Sequence, residues 1–369
     1  MTRDDKTGVE AVVDEVWSGS LWKIVKNRAG GPVRKGLGDD LDIVVPQAAT
    51  AAIMAANPAF ANVLYSAAYT SAKRNAYLLT RQVGMPADFF WKFDYWTQER
   101  AFETLHKVIA RIFGALMSKQ KEGTLELASV DVERGQFTIA FADCAECFDL
   151  HSVHPMCFFH AGLFAGILGA LLDRDLDAAE VSCSAQGKDR CTFRIGKRDD
   201  RDIRILLEER TGSLELNLDI TKRFENTLKG NVVRAIGNTV DVGYYQLLLS
   251  STFLGNMSVL STACLNSGTE LGQALAPLLR LRYQGDAGAV ICSFYRELRY
   301  MDVRVDDKGS AIEVHVTEAP EMSGPMARAA LIPFFCGELQ SLLSALSGRA
   351  VVYRSSARED AELVLLFSP

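Results

Sequence analysis

The sequence predicts an α/β protein of the α+β kind, built as two tandem domains, each an antiparallel sheet packed with helices around an apolar pocket. Three observations carry that reading. The chain has 369 residues, whereas a single hydrophobic core rarely grows beyond about 250. Helical patterns, a period-two hairpin and an apolar helix follow one another in its first half. The same order of segments returns in its second half at a period of about 170 to 200 residues, which fits two copies of a domain and is too long for a solenoid.

Residues 1–37 form an N-terminal extension whose NRAGGPVRKGLGDD stretch is Gly- and charge-rich and reads as a loop. The first domain, 38–196, opens with helical patterns over Val45–Ala56, Asn62–Val83 and Gln98–Lys119. Alternating apolar and polar residues in LELASVDVE and QFTIAFA, on either side of Arg134-Gly135, predict a hairpin. A cysteine-bearing loop then leads to a helix from Pro155 to Leu172, the proline suiting a first helical turn. Short strands around Cys183 and Cys191 close the domain. Residues 197–236 carry both charge signs and read as a solvated linker with a helical segment.

The second domain, 237–369, repeats earlier segments. Gly237-Asn238-Thr239-Val240-Asp241 echoes Gly38-Asp39-Asp40-Leu41-Asp42, and VLSTACLNS from Val259 echoes VLYSAAYTS from Val63. Pro325-Met326 matches Pro155-Met156, and SLLSALSGR from Ser341 matches GILGALLDR from Gly166. The two hairpins are aligned through Asp131-Val132 and Asp302-Val303.

An apolar content of 48% and a formal charge of −6 fit an ordinary soluble globular protein and argue against direct binding of nucleic acid. The charged N-terminus lacks an apolar signal region, so a cytoplasmic, reducing setting is expected. The stretch PMCFFHAGLFAGILGALL just reaches the length of a membrane span, yet Cys157, His160 and the flanking acids make it a buried core helix.

Five of the eight cysteines fall between Cys144 and Cys191. In a reducing compartment such clustering points to metal ligands or redox groups and away from a disulfide framework. Zinc takes four thiolate, imidazole or carboxylate donors in a tetrahedron. Cys157, Glu180, Cys183 and Cys191 offer such a set from a helix start, a strand end and the far side of the turn SAQGKDR, with buried inert thiols as the alternative. Cys144, Cys147 and His151 form a second group with ligand spacing. It is expected to be a separate metal or redox site, an iron–sulfur cluster included, or a pair of solvent-near thiols more open to alkylation than metal-bound ones. Cys264, Cys292 and Cys336 lie in apolar contexts and read as core. His106 and His160 read as packed side chains.

The run EVSCSAQGKDRC from Glu180 to Cys191, with Cys157 upstream, resembles the 4-vinyl-reductase-type (4VR) domain family. That family occurs in sensory modules of phenol- and toluene-responsive activators, in a protein assigned to bacteriochlorophyll synthesis, and in archaeal regulators. The resemblance covers residues 38–196 well and 237–367 as a degenerate copy, in which Arg354 and Glu362 stand roughly where Cys183 and Cys191 would. It implies one zinc ion per chain, on Cys157, Glu180, Cys183 and Cys191, and no metal in the second copy.

Phe89, Phe90, Trp91, Phe93 and Trp96 are dense enough to line a hydrophobic cavity. Gly162 and Gly166, on the apolar helix, either let helices pack closely or leave room for an apolar ligand beside those aromatics. The function expected is a zinc-stapled bacterial sensor of a small hydrophobic, aromatic or tetrapyrrole molecule, acting on a partner protein, with a homodimer compatible. Two classes compete with it. One is a vinyl reductase or carrier in (bacterio)chlorophyll biosynthesis, for which the sequence carries no nicotinamide or flavin fingerprint. The other is a structural scaffold made by the tandem halves.

Overall fold

The computed structural model describes residues 34–82, 97–211, 219–253, 257–320, 328–359 and 362–369. They fall into two compact units, the first built from residues within 61–214 and the second from residues within 32–60 and 215–369. Both are α+β, with antiparallel sheets packed by helices. Among the described residues no helix is long and apolar enough to cross a membrane.

The chain starts in the second unit with β1 (Asp40–Asp42) and α1 (Val44–Ala56). It continues in the first with α2 (Phe60–Gln82), α3 (Gln98–Val108) and α4 (Ala115–Lys119). Thr97 caps α3, accepting from Arg100 N at 3.3 Å, and Glu99 sits in the positive first turn. The single helix expected over Gln98–Lys119 is interrupted by a π-helical segment, Ile109–Gly114.

Strands β2 (Thr124–Asp131) and β3 (Gln136–Ala142) form the expected hairpin. Helix α5 (Phe158–Leu172) crosses to β4 (Leu176–Ser182) and β5 (Cys191–Lys197), and α6 (Arg201–Thr211) follows. The sheet order is β2-β3-β5-β4. Period two turns Phe137, Ile139 and Phe141, Leu176 and Ala178, and Phe193 and Ile195 into the core. The same alternation also carries Glu180 and Cys191 inward.

Helix α5 is apolar on every face, and it is buried at every position but Ala170. On the sheet side Phe164 packs edge-on against Phe193 and Phe141, with centroids 5.0 and 5.4 Å apart. On the other side it meets α2 backbone to backbone. A Cβ at Gly162 would lie 2.1 Å from Tyr65 O, and one at Gly166 would lie 2.4 Å from Tyr69 O. These two glycines, expected to border a ligand pocket, are filled by α2 instead. The helix also starts later than expected, at Phe158, with Cys157 as its N-cap residue.

The second unit adds α7 (Ile220–Leu228), β6 (Thr239–Asp241), α8 (Val242–Phe253), α9 (Met257–Arg282) and α10 (Ala287–Glu297). Its larger sheet comprises β7 (Asp302–Asp307), β8 (Ile312–Thr317), β9 (Val352–Glu359) and β10 (Glu362–Ser368), with α11 (Arg328–Ser347) between β8 and β9. The order β7-β8-β10-β9 repeats that of the first unit. Helices α5 and α11 both end on a left-handed residue, Asp173 (φ 51°) and Gly348 (φ 72°). The hairpins correspond, but through other residues than Asp131 and Asp302. Asp131 faces Gln136 across the turn, and Asp307 holds that place opposite Ile312. Each aspartate accepts from a turn N–H, Arg134 N or Gly309 N, both at 2.9 Å. Pro325-Met326 lies outside the described residues.

Strand β1 pairs with β6, Leu41 opposite Val240. The Arg34 guanidinium donates to Arg299 O, Tyr300 O and Asp40 O at 2.7 to 2.8 Å, and Glu318 accepts from Gly36 N and Leu37 N. The stretch 197–236 is more than a solvated connector, since α7 buries Ile220, Phe224, Leu228 and Arg223, whose Nε donates to Gln47 at 3.0 Å.

The close approach of α2 and α5 predicts that Gly162→Ala destabilises the protein by about 1–3 kcal/mol, the usual cost of overpacking. The melting temperature should fall by several degrees. An unchanged value would show that the helices do not meet at Gly162.

Candidate metal centre

Four segments of the first unit meet at one end of its sheet. The loop after β3 supplies Cys144 and Cys147, whose turn is closed by Cys147 N and Phe148 N donating to Cys144 O. Cys157 comes from the N-cap of α5, Glu180 from the inner face of β4, and Cys183 from just beyond that strand. A short 3-10 turn, Ser184–Gln186, and Gly187 at φ 77° reverse the chain toward Cys191, the first residue of β5. Gln186 clasps the turn, accepting from Cys183 N at 3.2 Å and donating to Val153 O at 3.0 Å.

All five sulfurs are fully buried. Cys191 Sγ lies 3.3 Å from Cys147 Sγ, 3.7 Å from Cys157 Sγ and 4.0 Å from Cys183 Sγ. Cys157 Sγ lies 3.6 Å from Cys144 Sγ and 3.8 Å from Cys183 Sγ. Zinc–sulfur bonds of about 2.3 Å in a tetrahedron place sulfurs about 3.8 Å apart, so these spacings suit a thiophilic ion. Two groups of four could each hold one: Cys157, Glu180, Cys183 and Cys191, and Cys144, Cys147, Cys157 and Cys191. The Glu180 carboxylate is oriented by Cys157 N, which donates to Oε2 at 2.8 Å.

Cys144 and Cys147, expected as a separate site or as accessible thiols, are part of this same cluster. His151, expected with them, is exposed and outside it. The sequence reading missed a buried acid–histidine network at the cluster's edge. Glu146, between the two loop cysteines, accepts from Phe159 N at 3.0 Å and His160 N at 3.1 Å, capping the N-terminus of α5. His160 Nδ1 lies 2.7 Å from Glu146 Oε2 and 3.7 Å from Cys144 Sγ, and its Nε2 lies 3.5 Å from Glu122 Oε2. Burial pushes the His160 imidazole down, but charge on Cys144 and the two carboxylates outweigh it and hold its pKa well above the usual histidine range. Burial likewise pushes the Cys144 thiol up, while hydrogen bonds from Cys147, Cys157 and Cys191 and the His160 charge bring it well below the ordinary value.

Phe89, Phe90, Trp91, Phe93 and Trp96 lie outside the described residues. In the second unit, an apolar cavity among Phe224, Phe294, Tyr295, Tyr300, Phe334 and Glu338 has a volume of about 10 Å³, room for one water and not for an aromatic molecule. Cys264 and Cys336 are buried and Cys292 partly so, as core residues. On the sheet of that unit His315 lies within 3.6 Å of Asp306, Glu313 and Glu362, where Lys308 also pairs with Glu313. Half-exposed ion pairs of this kind contribute little, about 0–1 kcal/mol each.

Residues 137–197, from β3 through α5 and β4 to β5, match the family model of the 4-vinyl-reductase (4VR) domain. The chain carries a 4VR domain. It contains all six donor residues of the cluster, and it is the family anticipated from the Glu180–Cys191 run. Two uncharacterized proteins of Methanocaldococcus jannaschii are similar to this chain. One is 35% identical over 75 residues, 20% of this chain and 41% of the relative; the other is 33% identical over 84 residues, 22% and 47%. The chain thus spans under half the length of these curated relatives. Among solved structures, a trafficking protein particle complex subunit 3 from Naegleria fowleri, covalently bound to palmitic acid, aligns over 53% of this chain and 97% of its own, at 12% identity and a TM-score of 0.29. The phenol-responsive sensory domain of the transcription activator PoxR, with phenol, aligns over 37% and 79%, at 16% identity and a TM-score of 0.24.

Two predictions follow from the buried acids. Glu146→Ala removes the acceptor shared by Phe159 N, His160 N and His160 Nδ1, and should cost about 3–5 kcal/mol in urea denaturation, as breaking a buried pair does. Glu146→Gln keeps one oxygen and should cost less; equal losses would rule out the capping role. In the second unit, burial raises the Glu338 carboxyl from 4.5 to about 8, the Tyr295 hydroxyl pulling it slightly back. The folded protein therefore keeps a proton that the unfolded chain releases above its own pKa. Stability should decline from about pH 4.5 to pH 8, by a few kcal/mol at most. Glu338→Gln should flatten that slope in calorimetry, and an identical slope in both proteins would contradict the assignment.

Proposed function

We propose that the 4VR domain holds a structural zinc ion through Cys157, Glu180, Cys183 and Cys191, and that the chain is a binding or sensory protein for a small hydrophobic, aromatic or tetrapyrrole molecule. The observation that carries the proposal is the complete burial of the donors. A catalytic zinc keeps one position open to water or substrate, whereas a structural zinc is closed by four protein ligands. Here the donors come from a helix cap, two strands and a turn, so an ion among them ties these elements together and leaves no substrate position. The tie fits a domain whose task is to hold a shape for recognition and pass it to a partner protein.

The repeated strand order and the matched helix ends support a further part of the reading: the two units descend from one duplicated domain, and the second has lost its thiolates. In the first, the aromatic run from Phe89 to Trp96 is the proposed ligand lining. A reducing, cytoplasmic setting would keep the five thiols free to bind metal.

Structural zinc is worth about 10–16 kcal/mol in small peptides, comparable to the 5–15 kcal/mol stability of a whole domain. Chelation of the full chain under reducing conditions should therefore release hydrogen-exchange protection in α5, β4 and β5 and spare β7 to β10. Unchanged protection in α5 would refute the staple. Titration of the same protein with phenol and with a tetrapyrrole tests the sensory half of the reading. Saturable binding to at least one, weakened by chelation, is expected; no saturable binding to either would remove its support.

A further inference from the structure

We propose that the cysteine cluster is a binuclear, thiolate-bridged centre. One zinc-class dication sits on Cys157, Glu180, Cys183 and Cys191, a second on Cys144, Cys147, Cys157 and Cys191, and the Cys157 and Cys191 sulfurs are shared by both. The inference rests on the zinc reading above and extends it.

The two donor sets overlap in Cys157 and Cys191 and in nothing else. These two sulfurs are also the central ones. Cys157 Sγ is within 3.8 Å of Cys144, Cys183 and Cys191, and Cys191 Sγ is within 4.0 Å of Cys147, Cys157 and Cys183. Their mutual distance of 3.7 Å matches the edge of a zinc–thiolate tetrahedron, about 3.8 Å. Two tetrahedra sharing that edge account for all six donors, whereas a single ion leaves two of them unused in a fully buried space.

Charge supports the same count. One dication with three thiolates and a carboxylate carries a net −2. A second dication arrives with two further thiolates, those of Cys144 and Cys147, and adds nothing to that charge, so the burial cost of net charge does not rise. The side of the second set is also braced. Glu146, between its two cysteines, is fixed to α5, and His160 stands 3.7 Å from Cys144 Sγ, an outer contact of the kind that orients metal ligands. Among the described residues the second unit has no comparable thiolate group.

The test is metal stoichiometry of the full chain, reduced, reconstituted with excess cadmium, desalted and weighed by native mass spectrometry. Two ions per chain are expected, with two ¹¹³Cd resonances, one from an all-sulfur and one from a mixed sulfur–oxygen environment. The double substitution Cys144→Ser with Cys147→Ser should leave one ion, and Cys183→Ser should also leave one, at the opposite set. A single ion in the unsubstituted chain, with a single resonance, would overturn the binuclear centre while leaving the zinc reading intact. No bound ion would overturn both. Iron with acid-labile sulfide in protein freshly isolated from its host would overturn the proposal in favour of an iron–sulfur cluster.

Discussion

The convergence of five sulfurs and one carboxylate at the end of a four-stranded sheet governs the first unit. Between β3 and α5 the chain runs from Asp143 to Cys157 with no regular structure, and ordering such a stretch costs about 1–2 kcal/mol per residue in backbone entropy. What offsets that cost is local and specific. Ala145 N donates to Glu122 O, Ser152 N to Ala185 O, and Gln186 to Val153 O, so the loop is laced to the neighbouring turns on both sides of the sulfurs. Glu146 ties it to the helix N-terminus. Each of these contacts presupposes that the others hold, which is why the loop can be ordered without secondary structure of its own.

The second unit reaches the same strand order without sulfur. There the crossing helix is held by backbone contact alone: a Cβ at Gly337 would lie 2.1 Å from Leu265 O, and one at Gly268 2.0 Å from Phe334 O. Its buried carboxyl, Glu338, is kept neutral by its surroundings and so needs no cation. The two units therefore represent two solutions for securing one topology. One uses soft-donor chemistry at the end of the sheet, and the other uses close-packed helices with a protonated acid between them.

Much of this was legible in the sequence, for reasons of periodicity. Alternation in LELASVDVE and QFTIAFA gave the hairpin, and the same alternation put Glu180 and Cys191 on the inner face of their strands. The single cluster was harder to see, because Cys144 and Cys147 reach it through a loop whose path no periodicity describes. Glu146 left one faint sign: an acid between two buried thiols needs donors, and the nearest unsatisfied N–H groups were those of the helix to follow. Glu122 left none. The hairpin alignment through Asp131 and Asp302 failed because a shared Asp-Val dipeptide says nothing about the turn, whereas the acceptor role of Asp131 and Asp307 is set by loop length. Gly162 and Gly166 were ambiguous by nature, since a missing Cβ serves a cavity and a close contact equally.

The placement of β1 and α1 bears on how the protein is made. Residues 34–60 belong to the unit whose other residues begin at 215, and β1 finds its partner strand only at Thr239–Asp241. At synthesis rates of about 5–20 residues per second, that segment waits on the order of ten seconds or more after leaving the ribosome before its partners exist. Meanwhile the stretch from α2 to α6 is complete and free to fold around its sulfurs. An apolar helix such as α1, idle for that interval, is a natural client for a chaperone, so the chain's earliest helix is among the last to be seated.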